Sequence, residues 1–241
     1  MSEAVAEPEG ILLVDKPQGI TSHDVVDKIR RLYQMRRIGH AGTLDPMATG
    51  LLIILVGKAT KASDQLMAQE KEYIGEATLG ATTDSQDADG QVTETRPVPE
   101  LTAAQVQETL NTMVGEQKQT PPMFSARKVG GQKLYDLARK GVEIEREARL
   151  IRVDAFELTS WASPRLTFRV HCTKGTYVRT LAHDLGQKLG CGAHLSALRR
   201  TVSGHLNVAR AHTLEQLGAC TREQLVAALV PVREAIPSVL G

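Results

Sequence analysis

Six consecutive apolar residues, Leu51-Leu52-Ile53-Ile54-Leu55-Val56, follow directly on a segment thick with glycine and turn formers, Gly39-His40-Ala41-Gly42-Thr43-Leu44-Asp45-Pro46-Met47-Ala48-Thr49-Gly50. A run this apolar has to be buried, and its burial anchors the segment that leads into it. Aromatic residues make up only 3% of the chain, so the core that receives the run is built mainly from Leu, Val, Ile and Ala. Glycine allows backbone paths closed to other residues and lets a bulky ligand approach the main chain. The proline after Asp45 restricts that residue to extended or turn conformations, so its carboxylate is presented from a loop. One histidine and one acid, five residues apart on an anchored loop, read as a site rather than a connector.

At 241 residues the chain can form one large domain, or a domain carrying an insertion, around a sizeable core. Hydrophobic residues at 41% and charged residues at 24% are ordinary for a soluble globular protein. The net charge of +1 favours no class of partner, but its distribution is uneven. Lys28, Arg30, Arg31, Arg36 and Arg37 form one basic cluster; Arg127, Lys128, Lys133, Arg139 and Lys140 form another; the charged residues of 84–100 are mostly acidic. Such clusters can bind polyanions without a basic total. Cys172, Cys191 and Cys220 are an odd number without close pairing, as expected of a reducing compartment. The first nine residues lack the basic-then-apolar pattern of a signal peptide and read as a flexible tail. No apolar run approaches the ~20 residues of a membrane span. A soluble, cytoplasmic protein is expected.

Gly10 to Val14 reads as a buried strand ended by the turn Asp15–Gly19. Thr21 with Asp24 resembles a capping box, and Val25, Ile29 and Leu32 keep helical spacing after it. From Glu72 to Leu79 the residues alternate, with Tyr73, Gly75, Ala77 and Leu79 on one side of a strand. Thr102 with Gln105 opens a helix that buries Val106, Leu110 and Met113 and terminates at Gly115. Residues 121–149 change character, with Pro121-Pro122, Gly130-Gly131, many basic residues and one short helix at about 134–140. This segment reads as an insertion projecting from the body. Strands follow at about 150–160 and 166–172, then a helix with Val178, Leu181, Leu185 and Leu189 on one face, ending at Gly190. Thr213/Gln216 and Thr221/Gln224 mark two further capped helices.

A set of separated motifs then stands out. They are Val14-Asp15-Lys16-Pro17 with Gly19-Ile20-Thr21-Ser22, Gly39 to Pro46, Lys71-Glu72-Tyr73, Pro121 to Ala126, Lys174 to Thr180, and Gly190 to His194 running to Leu198-Arg199-Arg200. In these motifs and their order, over roughly residues 10 to 235, the chain resembles the bacterial tRNA pseudouridine-55 synthases of the TruB type. The resemblance implies a mixed α+β catalytic domain over 10–241, a largely antiparallel sheet flanked by helices, with the basic insertion at 121–149 as a thumb. The small C-terminal RNA-binding domain usual in the family is expected to be absent or truncated. The implied reaction isomerises a T-loop uridine of tRNA: the base is flipped out, detached, rotated and rejoined through carbon. It is redox-neutral and calls for no cofactor and no metal.

The resemblance makes Asp45 the catalytic aspartate. A carboxylate can attack a sugar or base, or stabilise cationic character there; attack on C1′, addition to C6 and a glycal route all stay open. Arg179 matches the arginine that pairs with this carboxylate, a charge that keeps an acid ionised against desolvation. Tyr73 and Tyr177 match contacts to the flipped base, where aromatic stacking is worth roughly 1–3 kcal/mol per base. Tyr73 is also a candidate general base for the last proton removal. Leu198 matches the apolar contact on the other side of the base, and His40 the residue that fills the vacated stack. Lys16 and Pro17 are supporting residues of the first motif. Arg36, Arg37, Arg127, Lys128, Arg199 and Arg200 are candidate phosphate contacts, whose contribution falls as salt rises because neutralised phosphates release counterions. The expected partner is tRNA through its T stem-loop, bound by a monomer.

Three other patterns fail on their own terms. Asp45-Pro46-Met47-Ala48-Thr49 approaches the D-x-D-x-T nucleophile of aspartyl phosphotransferases, but Met47 replaces the acid that would bind Mg²⁺. Asp87-Ala88-Asp89-Gly90, aligned as a calcium loop, puts Ser85 at the first ligand position and Arg96 at the bidentate one. Cys191 and His194 could start a zinc site with His171, Cys172 or His183, but no paired C-x-x-C spacing supports one. The alternative from another class is a chaperone that folds tRNA by binding its T arm, with catalysis dispensable.

Overall fold

Residues 7–124, 128–129, 132–133 and 144–236 are described by a computed structural model. In chain order the strands are β1 (Gly10–Lys16), β2 (Ile38–Ala41), β3 (Thr49–Val56), β4 (Lys71–Leu79), β5 (Ala81–Thr83), β6 (Val92–Thr95) and β7 (Gly115–Gln119). They continue with β8 (Lys128–Val129), β9 (Gln132–Lys133), β10 (Arg149–Ala162), β11 (Arg165–Cys172), β12 (Ala193–Ser203), β13 (Leu206–Asn207) and β14 (His212–Thr213). Helices α1 (Ser22–Tyr33), α2 (Ser63–Ala68), α3 (Ala103–Asn111) and α4 (Val178–Lys188) lie between them, and three short helices close the described chain at Leu214–Gly218, Arg222–Ala227 and Val232–Ala235. Pairing is mostly antiparallel, so the fold is of the mixed α+β class read from the sequence. The chain divides into two units at Tyr73/Ile74 and Leu198/Arg199.

In the first unit the apolar run becomes β3, buried from Gly50 onward. A strand covered on both faces has no polar side to show, which is why its sequence does not alternate. β1 pairs antiparallel along one edge, from Gly10↔Val56 to Lys16↔Gly50. The other edge takes β2, antiparallel from Ile38↔Val56 to Ala41↔Ile53, and the end of β12, parallel at Arg199↔Thr49 and Arg200↔Gly50. On one face Ile11, Leu13, Leu51, Ile53 and Leu55 pack with Ala59, Leu66, Leu206, Ala235 and Ile236. Full burial of such an aliphatic side chain is worth roughly 1.5–3 kcal/mol, so this strand fixes the position of whatever it is joined to.

In the second unit β10 pairs antiparallel with β11 on one side and β7 on the other. Gly75 on β4 has no side chain because Phe168 lies against it: a Cβ there would overlap the phenyl ring. Phe168 in turn meets Phe156 edge-on, with ring centroids 5.1 Å apart. The few aromatics are thus used as paired anchors in an aliphatic interior.

All four capping boxes form, at Thr21/Asp24, Thr102/Gln105, Thr213/Gln216 and Thr221/Gln224. Three local expectations need correction. β1 runs on through Lys16, so the turn begins later than Asp15. On α1 the buried stripe is Val25, Val26, Ile29 and Tyr33, whereas Leu32 is only half-buried. Tyr33 displaces it because its hydroxyl donates to the Leu225 carbonyl at 2.5 Å, which draws the ring inward. α3 stops at Asn111, and Gly115, at φ +106°, opens β7. The helix expected at about 134–140 lies outside the described residues.

Candidate active site

Asp45 stands at the start of a turn closed by the Ala48 amide donating to its carbonyl at 3.0 Å. The residues around it are buried: Leu44 at 4%, Met47 at 5% and Ala48 at 0% exposure, while Asp45 itself is half-buried. Met47, which spoils the phosphotransferase pattern, is thereby an apolar anchor. Three buried polar side chains from three elements hold the loop by its main chain. Lys16 on β1 donates through Nζ to the carbonyls of Pro17 at 2.9 Å, Pro46 at 3.3 Å and Ala48 at 2.7 Å. Ser22, at the start of α1, donates through Oγ to Leu44 O at 3.0 Å and accepts from Leu44 N at 2.9 Å. Arg200 on β12 donates through Nε to Leu51 O at 2.7 Å and through Nη2 to Gly42 O at 3.0 Å. Buried carbonyls need partners, and here side chains supply them, so the carboxylate is presented from a rigid frame.

Lys16 is fully buried, and burial lowers its pKa from 10.5 to about 8, with Asp45 and then Asp24 opposing the shift. Below that value the ammonium serves three carbonyls and faces Asp45 as a cation; above it a neutral amine keeps two N–H groups and no charge. Turnover is therefore expected to fall through about pH 8 in the wild type and to lose that limb in Lys16→Met, as measured by kcat against pH. Stability moves the other way. Between about 8 and 10.5 the unfolded chain binds the proton and the folded one does not, so the Lys16 contribution to stability rises with pH there. A kcat limb that tracked melting temperature would remove Lys16 from this role.

His40 sits on β2 opposite Ile54 of β3. Burial, then the Arg200 guanidinium, then His23, hold its pKa below the ordinary histidine value. Its Nδ1 is buried without a hydrogen bond among the described residues. Burial and the neighbouring charges thus favour the neutral ring over the cation. Tyr73, 8% exposed on β4, completes the sequence-predicted base contacts of this unit, and Pro17 follows β1.

Tyr177, Arg179 and Leu198 belong to the second unit. Tyr177 is the N-cap residue of α4 and makes no side-chain cap; its own main chain is paired by the amide of Gln119, which accepts from Tyr177 N at 2.8 Å and donates to Tyr177 O at 3.1 Å. Arg179 is 5% exposed, with its guanidinium 5.7 Å from the centre of the Tyr177 ring. Its Nη2 donates to Phe124 O at 2.6 Å and its Nη1 to Asp87 Oδ2 at 3.2 Å. Asp87, set aside in the sequence as part of a failed calcium loop, is 4% exposed and also accepts from Ser85 Oγ at 2.5 Å and from Asp89 N at 3.1 Å. It partners a candidate site residue and sequence reasoning missed it; the one available signal was an acid two residues before an Asp-Gly pair whose calcium pattern fails. Leu198 is half-buried on β12.

The phosphate candidates separate. Arg36 and Arg37 are exposed, Arg37 donating through Nε to Thr60 Oγ1 at 3.2 Å. Arg199 forms a two-point fork on Asp15 at 2.9 and 2.7 Å and keeps 40% of its side chain exposed. The role expected of Arg200 does not fit its place: at 2% exposure, with its donors on Leu51 and Gly42 carbonyls, it offers no surface to a phosphate. Lys128 falls on β8, and Arg127 lies outside the described residues. Of the residues weighed for zinc, Cys172 and Cys191 are buried free thiols and His194 places Nδ1 3.0 Å from Ala81 O. No helix among the described residues is long and apolar enough to cross a membrane.

The chain matches the family model for the N-terminal domain of TruB family pseudouridylate synthases over residues 30–178. Residues 179–236 match the model for the tRNA pseudouridylate synthase B C-terminal domain. It is 57% identical over 235 residues to a tRNA pseudouridine synthase B of Opitutus terrae, covering 98% of each chain. To the protein of the same name from Syntrophotalea carbinolica it is 49% identical over 227 residues, covering 94% of this chain and 74% of that one. Among solved structures it resembles a Cbf5-Nop10-Gar1 complex chain with 28% identity and a TM-score of 0.72, and one from an archaeal box H/ACA sRNP Nop10-Cbf5 complex with 26% and 0.70. It spans 61% and 62% of the length of those two solved chains.

Proposed function

We propose, for a chain that belongs to the TruB family of pseudouridylate synthases, that it isomerises uridine 55 in the T loop of tRNA to pseudouridine. The observation that carries the reading is the Asp45 loop: a half-buried carboxylate between two buried apolar anchors, its main chain gripped by Lys16, Ser22 and Arg200. Chemistry at a glycosidic bond needs a carboxylate held still at the sugar or base, and a preset frame removes the cost of ordering it during the reaction.

In this reading Asp45 acts in breaking the N-glycosidic bond, by attack on the ribose C1′, by addition to C6 of the base or through a glycal route. Arg179 pairs with it, Tyr73, Tyr177 and Leu198 contact the flipped base, and His40 fills the space the base leaves. Arg36, Arg37 and Arg199, with Arg127 and Lys128 from the thumb, meet phosphates. The domain limits proposed are a tail to residue 9, a catalytic domain from residue 10 and a thumb over 121–149.

Incubation of the full chain with an unmodified T stem-loop RNA is expected to yield pseudouridine at the position equivalent to 55. RNA bound without product would instead favour the T-arm chaperone reading. The general-base role of Tyr73 has its own check. Tyr73→Phe should bind the stem-loop normally and turn over at least about 10²-fold more slowly, and unchanged turnover would remove the role.

A further inference from the structure

The segment that carries Tyr177 is fixed by a side chain far from it in sequence. Gln119 closes β7, which pairs with β10 as far as Arg149↔Gln119. Its side chain is 4% exposed, so its amide works without water. With one oxygen accepting from Tyr177 N and one nitrogen donating to Tyr177 O, it reproduces the two-point pairing of a neighbouring strand on a single residue. Tyr177 takes the acceptor of its N–H from this side chain. It is the N-cap of α4 without a side-chain cap, and its carbonyl also receives the first helical amides of Thr180 at 3.1 Å and Leu181 at 3.2 Å.

Five residues beyond Gln119, the Phe124 carbonyl accepts from Arg179 Nη2 at 2.6 Å, and between them Pro121 and Pro122 are buried. The Pro121 carbonyl is held in turn by Arg146 Nη1 at 3.2 Å. Residues 119–124 and 177–179 are thus tied together at both ends. The base-side tyrosine and the arginine take their positions from this short stretch as well as from their own helix.

We infer that Gln119 is a positioning residue for the isomerisation: it sets the main chain of Tyr177 and thereby the orientation of the ring against the uracil. This rests on the proposed function, in which Tyr177 contacts the base. No proton or charge is exchanged by the amide; its effect passes wholly through Tyr177.

The test compares wild type, Gln119→Met and Gln119→Glu on an unmodified T stem-loop, with kcat, KM, RNA affinity and melting temperature measured on each. Gln119→Met fills the space but removes the acceptor of the Tyr177 N–H and leaves its carbonyl to the helical amides of Thr180 and Leu181, and kcat is expected to fall about 10- to 100-fold, on the scale of a group displaced by about 1 Å. RNA affinity should stay within about twofold, since phosphate contacts dominate it. Gln119→Glu carries the decisive readout. Protonated, a glutamic acid can accept and donate like the amide; ionised, it opposes the Tyr177 carbonyl, and burial raises its pKa. Its kcat should approach wild type at low pH and fall as pH rises through a second limb, added to the fall near pH 8 that it shares with wild type. Folded Gln119→Met with wild-type kcat, or Gln119→Glu with a wild-type pH profile, overturns the inference. If Gln119→Met does not fold, the Gln119→Glu profile decides alone. A wild type that binds RNA but forms no pseudouridine refutes the proposed function itself and is thereby distinguished from failure of the Gln119 assignment.

Discussion

Asp45→Asn is expected to abolish pseudouridine formation, by at least about 10⁴-fold in kcat, the scale seen when a nucleophile is removed from a preset site. The loop should survive the change. Its anchors are the buried side chains of Leu44, Met47 and Ala48 and the main-chain groups gripped by Lys16, Ser22 and Arg200. Asparagine has the shape of aspartate and disturbs none of those. Melting temperature and T stem-loop affinity should therefore stay close to wild type while product disappears. A second signature sits on Lys16, whose pKa the Asp45 charge raises. In Asp45→Asn that support is gone, and the Lys16 titration moves further below about 8, readable by NMR of its side chain. Retention of turnover within tenfold of wild type would strip Asp45 of its role whatever the family pattern.

The second large effect is on folding. Gly50 has φ +95°, in the left-handed region that favours glycine, and a Cβ there would overlap the Arg200 carbonyl oxygen and lie 2.9 Å from Arg200 N. Both are main-chain atoms of β12 paired with Gly50 in parallel register, so neither can swing away as a side-chain end could. Gly50→Ala must push β12 off β3, and the movement carries the Arg200 guanidinium away from Leu51 O and Gly42 O. Strained backbone costs roughly 1–3 kcal/mol, and buried polar groups left unpaired cost about 1–3 kcal/mol each. Together these predict a loss of at least about 3 kcal/mol, or upward of some 6–12 °C in melting temperature for a chain of this size. Gly42→Ala is the milder comparison: it shares the φ sign at +91°, but its nearest neighbour is the Arg200 side chain at 3.2 Å. Equal destabilisation of the two variants would show that the backbone overlap at Gly50 is not the cause.

Much of the framework was legible because it follows from local repetition. Alternation located β4, helical spacing located α4, and Thr-x-x-Asp or Thr-x-x-Gln marked four helix starts. β12 was not legible. Its Ala193–Ser203 sequence carries two adjacent arginines, and charged residues are mostly exposed, so Arg199 and Arg200 read as a surface pair. The fold sends one to Asp15 and buries the other among carbonyls of a loop. Asp87 was missed for the same reason: whether an acid binds an ion, meets solvent or pairs with an arginine depends on what packs over it, and Arg179 lies 92 residues away. The Asp45 segment was visible as a site because glycine, proline and an apolar run are local signals. The grip that makes it rigid comes from elsewhere in the chain.

That grip has a consequence for how the protein comes into being. Arg200 reaches Leu51 across 149 residues and Gly42 across 158. During synthesis, at about 5–20 residues per second, the Asp45 segment emerges roughly 10–30 s before the arginine that braces it. Until then the Gly42 and Leu51 carbonyls lack that partner, and the segment has only Lys16 and Ser22 to hold it. The bracing of the Asp45 segment is therefore completed late, by a residue from the C-terminal part of the chain, and a nascent chain still short of β12 lacks the Arg200 contacts to Leu51 and Gly42.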